Sequence, residues 1–283
     1  MPIRRDDRDR YVEVELRRGE EPLWLRCGSC GELVFRRKLQ ENSYICPRCG
    51  AYFFLTAEER IAALVDEGSF EDLTLPLESD DPLSFSDRKP YADRLKEARE
   101  STGLSDAVVV GRGRIEGRKV ILAVMDFRFI GGSMGIVAGE QLAFAMERAV
   151  EERVPFLFVV ASGGARVQEG VLSLLQMAKT VAAREGLAQA GVPYIAVLTY
   201  PSTGGVMASL ASLADVTLAE QGALIGFAGP RVIQQTTGEK PPPGFQRARY
   251  ALEHGLVDGV VPREGLRQEL ARLLRVLEGV PSG

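Results

Sequence analysis

All four cysteines of this 283-residue chain stand in two matched pairs, Cys27-x-x-Cys30 and Cys46-x-x-Cys49, with residues 31–45 between them. A C-x-x-C turn presents two thiolates to one ion, and two such turns complete the tetrahedron of sulfurs that suits Zn²⁺. The pattern predicts one structural zinc per chain, with no open coordination position. Each knuckle, Cys27-Gly28-Ser29-Cys30-Gly31 and Cys46-Pro47-Arg48-Cys49-Gly50, has a glycine just past its second cysteine, where the backbone must bend. Residues 31–45 read as a short hairpin that returns the second pair to the first. Two disulfides or a redox dithiol are the competing uses. The symmetric use of all four thiols argues against both. A ribbon of residues 22–55 is too short to fold on apolar contacts alone, so the metal must organise it.

The remaining chain is long enough for a full core. Apolar residues make up 45% of the sequence and charged residues 26%, an ordinary globular balance. The formal net charge is -4, which excludes a global basic field for nucleic acid. Basic residues do gather locally, at Arg4-Arg5, Arg17-Arg18 and Arg36-Arg37-Lys38. The opening MPIRRDDRDR lacks the apolar stretch of a signal peptide, and no run reaches the length of a membrane span. A soluble cytoplasmic protein with reduced thiols is expected.

Four segments follow from this reading: a charged N-terminal tail over 1–21, the ribbon over 22–55, a helical connector over 56–103 and an α/β domain over 104–283. Thr56-Ala57-Glu58-Glu59 spells a capping box that opens a helix with Ile61, Leu64 and Val65 on its apolar stripe. Residues 76–90 are proline-rich and irregular, and a charged helix follows from Tyr91 to Ser101. From Leu104 the chain reads as two strands joined at Glu116-Gly117. It then repeats a short apolar run, a glycine-rich turn and a helix, with helices over 138–151, 169–190 and 204–213. The runs after Pro155 and Pro193 are continuously apolar, as strands covered on both faces are. VTLAEQGALIGFAGP offers two more short strands, and a helix over 264–278 closes the chain.

Three Gly-Gly pairs fall at the strand-to-helix turns: Gly131-Gly132, Gly163-Gly164 and Gly204-Gly205. Unpaired backbone N–H groups at a helix start can hold a phosphate or stabilise an oxyanion, and glycine lets a substrate approach them. Equally, such turns can simply close α/β connections. There is no G-x-x-x-x-G-K-[ST] loop for a nucleotide. Ser162 lacks the G-x-S-x-G context, and the single histidine, His254, lies at a helix end where capping accounts for it. Glu169 suits a general base beside the second turn and, equally, an acid in the first turn of a helix. With no acid–base pair in view, the pattern points to catalysis by backbone dipoles.

The stretches CGSCGELVFRRKLQENSYICPRCG, GGSMG, ASGGARVQEG, LLQMAKT, TGGVMASLASLAD, ALIGFAGPRVIQQT and PPGFQR run from residue 27 to 247. Together they resemble the beta subunits of the bacterial acetyl-coenzyme A carboxylase carboxyltransferase. The resemblance implies a crotonase-like (ClpP/crotonase) domain of ββα repeats behind an N-terminal four-cysteine zinc ribbon. It implies transfer of a carboxyl group from carboxybiotin to acetyl-CoA, giving malonyl-CoA for fatty acid biosynthesis. It also implies partners: an alpha subunit in an α2β2 assembly that shares the active site, the biotin carboxyl carrier protein and biotin carboxylase. Carried onto this sequence, Gly204 and Gly205 are assigned to the oxyanion hole. Gly163, Gly164 and Ala165 would line the acyl-CoA site, and Gly229 and Arg231 the same pocket. One departure is Thr203, ahead of the glycine pair, where members of the family carry a longer residue such as methionine.

Two other functions compete. Arg26, Arg36, Arg37, Lys38 and Arg48 could make the ribbon a site for RNA or DNA phosphates. The same fold could also serve an acyl-CoA decarboxylase, or a carboxylase for a longer acyl-CoA.

Overall fold

The computed structural model describes residues 11–12, 23–238, 241–242 and 244–278. Most of the expected N-terminal tail lies outside this range. Its described part, Tyr11–Val12, pairs in parallel with Tyr52–Phe53.

The main sheet is built on six strands: β1 (Val108–Ile115), β2 (Arg118–Met125), β3 (Phe156–Ser162), β4 (Tyr194–Thr203), β5 (Val216–Glu220) and β6 (Gly259–Val261). β1 and β2 form an antiparallel hairpin through Glu116-Gly117, and β2 to β6 then run in parallel in chain order. Glu71–Asp72 adds an antiparallel edge beyond β1, and Ile225–Gly226 pairs with the end of β4. Three helices leave the parallel strands: α1 (Ile136–Glu152), α2 (Gly170–Ala190) and α3 (Gly204–Ser209).

Period-two alternation sorts the strands between two cores. Ile121, Ala123 and Met125 of β2, with Phe156, Phe158 and Val160 of β3, face the layer holding Leu142 and Met146 of α1. Val120, Leu122, Val124, Leu157 and Val159 face the other side. There they meet Ile61 and Leu64 of the connector helix Ala57–Leu64, Val65 at its C-cap, and Leu266, Leu270 and Leu274 of the closing helix Leu266–Glu278. The connector helix opens with the expected capping box, Thr56 to the Glu59 N–H and Glu59 to the Thr56 N–H. Asp126, at the end of β2, also accepts from the Ala57 N–H at 2.9 Å.

The ribbon has its own small core of Leu25, Val34, Leu39, Tyr44 and Phe53 around the cysteines. Its layout differs from the expected hairpin over 31–45. The hairpin instead spans the first knuckle, Trp24–Arg26 against Leu33–Phe35, and residues 36–41 form a helical turn. Arg36-Arg37-Lys38-Leu39-Gln40-Glu41 consists of strong helix formers, and Leu39 is fully buried by that turn. Residues 230–237 form a further helix not foreseen in the glycine-rich reading, and residues 248–253 form the helix expected to end at His254.

Candidate active site and metal centre

The two cysteine knuckles are built alike. In the first, Gly31 N–H donates to the Cys27 carbonyl at 2.8 Å and Cys27 N–H to the Glu32 carbonyl at 2.7 Å; in the second, Gly50 donates to Cys46 at 2.9 Å and Cys46 to Ala51 at 2.8 Å. Both turns thereby aim their sulfurs at one point. Cys27 Sγ lies 3.7 Å from Cys49 Sγ, Cys30 Sγ lies 3.8 Å from Cys46 Sγ, and all four fall within 4.8 Å of one another. A tetrahedron with Zn–S bonds of about 2.3 Å has edges of about 3.8 Å, so the cage fits that ion. Burial pushes the Cys27 thiol up, and a doubly charged ion reverses that preference in favour of thiolate. No fourth position is open, so the metal is structural. Substituting Cys27→Ser should release the ion and unravel residues 24–53 while the main sheet persists, because neither sheet core includes a ribbon residue. Zinc content by mass spectrometry and limited proteolysis measure this, and loss of the whole fold in one step would refute it.

The ribbon is anchored by buried charge. Glu220, at the end of β5, accepts from Arg60 at 2.6 and 3.2 Å and from Arg263 at 2.9 and 3.0 Å. All three side chains are buried. Arg263 Nη1 also donates to the carbonyls of Ser43, Tyr44 and Phe53 at 3.2, 3.3 and 2.9 Å, and its guanidinium lies 4.5 Å over the Tyr52 ring. Burial, then repulsion from Arg263, pushes the Arg60 guanidinium well below its ordinary value. Glu220 is the countercharge that holds both cations.

Where the ribbon rejoins the body it forms one wall of a crevice. Phe54 stacks on Phe127 at 5.7 Å and meets the edge of Tyr200 at 5.7 Å. Arg60, Ala161 and Thr199 also line it. The crevice opens at the carboxyl ends of β2, β3 and β4, the usual place for ligands in a parallel sheet.

The three glycine turns come together beside it. Gly163 N–H donates to the Gly131 carbonyl, Met134 N–H to Gly164 and Arg166 N–H to Met134, each at 2.9 Å, which stitches the first turn to the second. A Cβ at Gly132 would strike the Ala161 carbonyl. The second and third turns lie back to back. A Cβ at Gly164 would stand 3.1 Å from Gly204 Cα, and one at Gly204 would stand 2.9 Å from Gly164 Cα. Gly204 has φ +64 and Gly164 φ +118, so both also occupy backbone conformations that favour glycine.

Several N–H groups here are already used. Gly163 donates to Gly131, Gly164 to Ser162 Oγ at 3.0 Å and Gly204 to the Phe227 carbonyl at 2.9 Å. Ala165 and Gly205 keep backbone N–H groups without an acceptor among the described residues. They are neighbours: a Cβ at Gly205 would lie 3.6 Å from that of Ala165. The Gly204–Phe227 bond also brings residues 226–229 against the third turn. Gly229 caps the helix 230–237, and a Cβ there would meet nothing within 4 Å. The Arg231 backbone lies in that helix, and its side chain is outside those described. Thr203 is buried, and its hydroxyl donates to the Ser162 carbonyl at 3.2 Å, so the shorter side chain is tied into the wall.

Glu169 is no free base. Its carboxylate is 1% exposed and accepts from Tyr91 Oη and the Ile136 N–H, each at 2.6 Å. His254 caps the helix 248–253, with Nδ1 2.8 Å from the Tyr250 carbonyl. Three of the ribbon's arginines face carboxylates: Arg48 with Glu32 at 2.7 Å, Arg36 with Glu59 at 3.2 Å and Arg37 with Glu41 at 3.3 Å. No helix among the described residues is long and apolar enough to cross a membrane. Sequence reasoning missed the Arg60–Glu220–Arg263 cluster and the hub at Arg166. The available signal was weak: a glutamate closing the apolar run VTLAE and an arginine closing SGGAR.

The carboxyl transferase domain family matches residues 54–261, and the acetyl-CoA carboxylase zinc finger domain matches residues 24–49. Fold, ribbon and glycine turns therefore define a biotin-dependent carboxyltransferase component. The chain is 51% identical over 275 residues to the acetyl-coenzyme A carboxylase carboxyl transferase subunit beta of Afipia carboxidovorans, covering 97% of this chain and 88% of that one. It is 54% identical over 253 residues to a Parafrankia protein named as subunits beta/alpha, covering 89% of this chain but only 41% of that longer one. Among solved structures, transcarboxylase 12S with methylmalonyl-coenzyme A bound is 30% identical, with a TM-score of 0.65, over 84% of this chain and 42% of that one. The chain belongs to the beta-subunit family of the acetyl-coenzyme A carboxylase carboxyl transferase.

Proposed function

We propose that this chain supplies the acyl-CoA half of a carboxyl transfer from carboxybiotin to acetyl-CoA, which yields malonyl-CoA. The observation that carries the reading is the pair of unused N–H groups, at Ala165 and Gly205, on two glycine turns packed back to back. When the acetyl methyl carbon loses a proton, negative charge develops on the thioester oxygen. Two fixed N–H dipoles stabilise that charge without titrating, and each such donor is typically worth about 10²–10³ in rate. Gly163, Gly164 and Gly204 then have a supporting part: their missing side chains let the two turns touch. Gly229 and Arg231 flank the third turn through the segment bonded to Gly204. The proton acceptor is the ureido anion left when carboxybiotin releases CO₂, which agrees with the absence of a free base in Glu169. Cys27, Cys30, Cys46 and Cys49 hold zinc outside the reaction, where it shapes the ribbon behind Phe54.

An alpha subunit completes the site in this reading. Val167, Val171, Leu174 and Leu175 form one face of the helical segment that leaves the second turn, and each is at least 55% exposed. An apolar stripe of that size beside the turns suits a covering partner. The Parafrankia relative, which joins beta and alpha in one chain, supports that pairing. The carrier protein that brings carboxybiotin, and the biotin carboxylase that charges it, follow from the same reading. The matched charges on the ribbon do not favour nucleic acid as the main ligand. The test is the reverse reaction, malonyl-CoA with biocytin, assayed with and without the alpha subunit. Acetyl-CoA formation only in the mixture is expected, and activity of this chain alone would overturn the shared site.

A further inference from the structure

Beneath the glycine turns lies a buried polar cluster that the chemistry above does not use. The Arg166 side chain is fully buried. It binds Asp106 through two nitrogens, at 2.7 and 2.8 Å, and Ser133 at both its carbonyl, 2.7 Å, and its hydroxyl, 3.1 Å. It also reaches Ser79 Oγ at 3.1 Å, Tyr91 Oη at 3.3 Å and Glu169 Oε1 at 3.4 Å. Burial alone would push this guanidinium down, but the charge of Asp106 outweighs it and the net direction is up. Arg166 closes the second glycine turn, and Ser133 lies within the first.

Glu169 provides the second half of the arrangement. Its Oε2 accepts from Ile136 N–H, the first residue of α1, and a Cβ at Gly135 would run into the carboxylate. One arginine faces two carboxylates here, so the cluster carries an excess of one negative charge. The positive end of the 17-residue helix α1 offsets it. The α1 N-terminus is therefore already filled from within, and of the three glycine turns the first is closed to a substrate anion.

Building on the carboxyl-transfer reading, we propose that Arg166 and Glu169 are positioning residues for catalysis: Glu169 fixes the start of α1, and Arg166 carries that position to the Ala165 N–H. Neither touches substrate. They set the direction of a donor one residue away from Arg166, and geometry of that kind matters more in the transition state than in the bound substrate.

Glu169→Gln tests this. A glutamine amide nitrogen has no lone pair for the donors that converge on the carboxylate, so one contact must turn repulsive while volume is kept. With the alpha subunit present, kcat for the reverse reaction should fall about 30-fold to 100-fold, with KM for malonyl-CoA changed less than about threefold. Tyr91→Phe removes a single donor and keeps the ring, and should lower kcat about threefold to tenfold by the same logic. Denaturation midpoints and the fraction of active sites are measured on the same samples. A purely structural role would lower activity only in step with the folded fraction, and that result overturns the proposal. So does an unchanged kcat in Tyr91→Phe, a variant that remains informative if Glu169→Gln does not fold. A wild-type chain inactive with its alpha subunit would instead sink the carboxyl-transfer reading itself.

Discussion

Glu220→Gln should destabilise this chain by about 3–5 kcal/mol, the usual result of removing one partner from a buried ionic cluster. The substitution leaves the guanidiniums of Arg60 and Arg263 buried beside each other without their shared carboxylate. Both would then rely on neutral acceptors, which for Arg263 include the carbonyls of Ser43, Tyr44 and Phe53. The midpoint of guanidinium chloride unfolding reports the loss. A loss below about 1 kcal/mol, the range of exposed ion pairs, would show that the cluster is not desolvated as described. The same variant should become sensitive to protease between residues 43 and 55, because the ribbon's attachment weakens with the cluster.

Gly204→Ala should reduce carboxyl transfer at least about 100-fold, the scale of a lost oxyanion donor. The methyl group would stand 2.9 Å from Gly164 Cα and 3.0 Å from the Gly163 carbonyl, both backbone atoms that cannot swing aside. The two turns would separate, and the N–H groups of Ala165 and Gly205 would no longer converge. Gly117→Ala is the control. It has φ +80, so it carries a similar left-handed strain of about 1–2 kcal/mol, but nothing lies within 4 Å of its Cβ. Its transfer rate should match the wild type at equal folded concentration. Equal losses in both variants would mean that backbone strain, not contact between the turns, sets the requirement for glycine at 204.

Much of this architecture can be read from the chain because the signals are local. Each cysteine pair and its glycine specify one knuckle. The runs after Pro155 and Pro193 specify strands covered on both faces, and those strands lie at the sheet centre. Thr56 and Glu59 specify a helix start in four residues. What escaped reading depends on residues far apart in sequence. Arg60 and Glu220 are 160 positions apart, and Arg166 and Ser79 are 87 apart. Nothing in the local sequence marks these charges as buried. The glycine pairs show the same limit at finer scale. Their sequence announces turns open to close approach, but only the packing shows that Gly204 has spent its N–H on Phe227 while Gly205 has not. The segment 36–41, expected to belong to a hairpin, is a helical turn instead, because helix propensity and the burial of Leu39 outweigh the spacing between the cysteine pairs.

The Arg263 clamp also has a consequence for how the chain is made. Phe53 and Arg263 are 210 residues apart, and ribosomes add about 5–20 residues per second, so roughly 10–40 s separate their appearance. During that interval the ribbon can collect its metal and close around it, since its ligands all lie within residues 27–49. It has nothing to dock on through residue 263 until the last part of the chain emerges. The ribbon is thus made well before its clamp, and a chain interrupted before residue 263 would carry a metallated ribbon without the Arg263 bonds to Ser43, Tyr44 and Phe53.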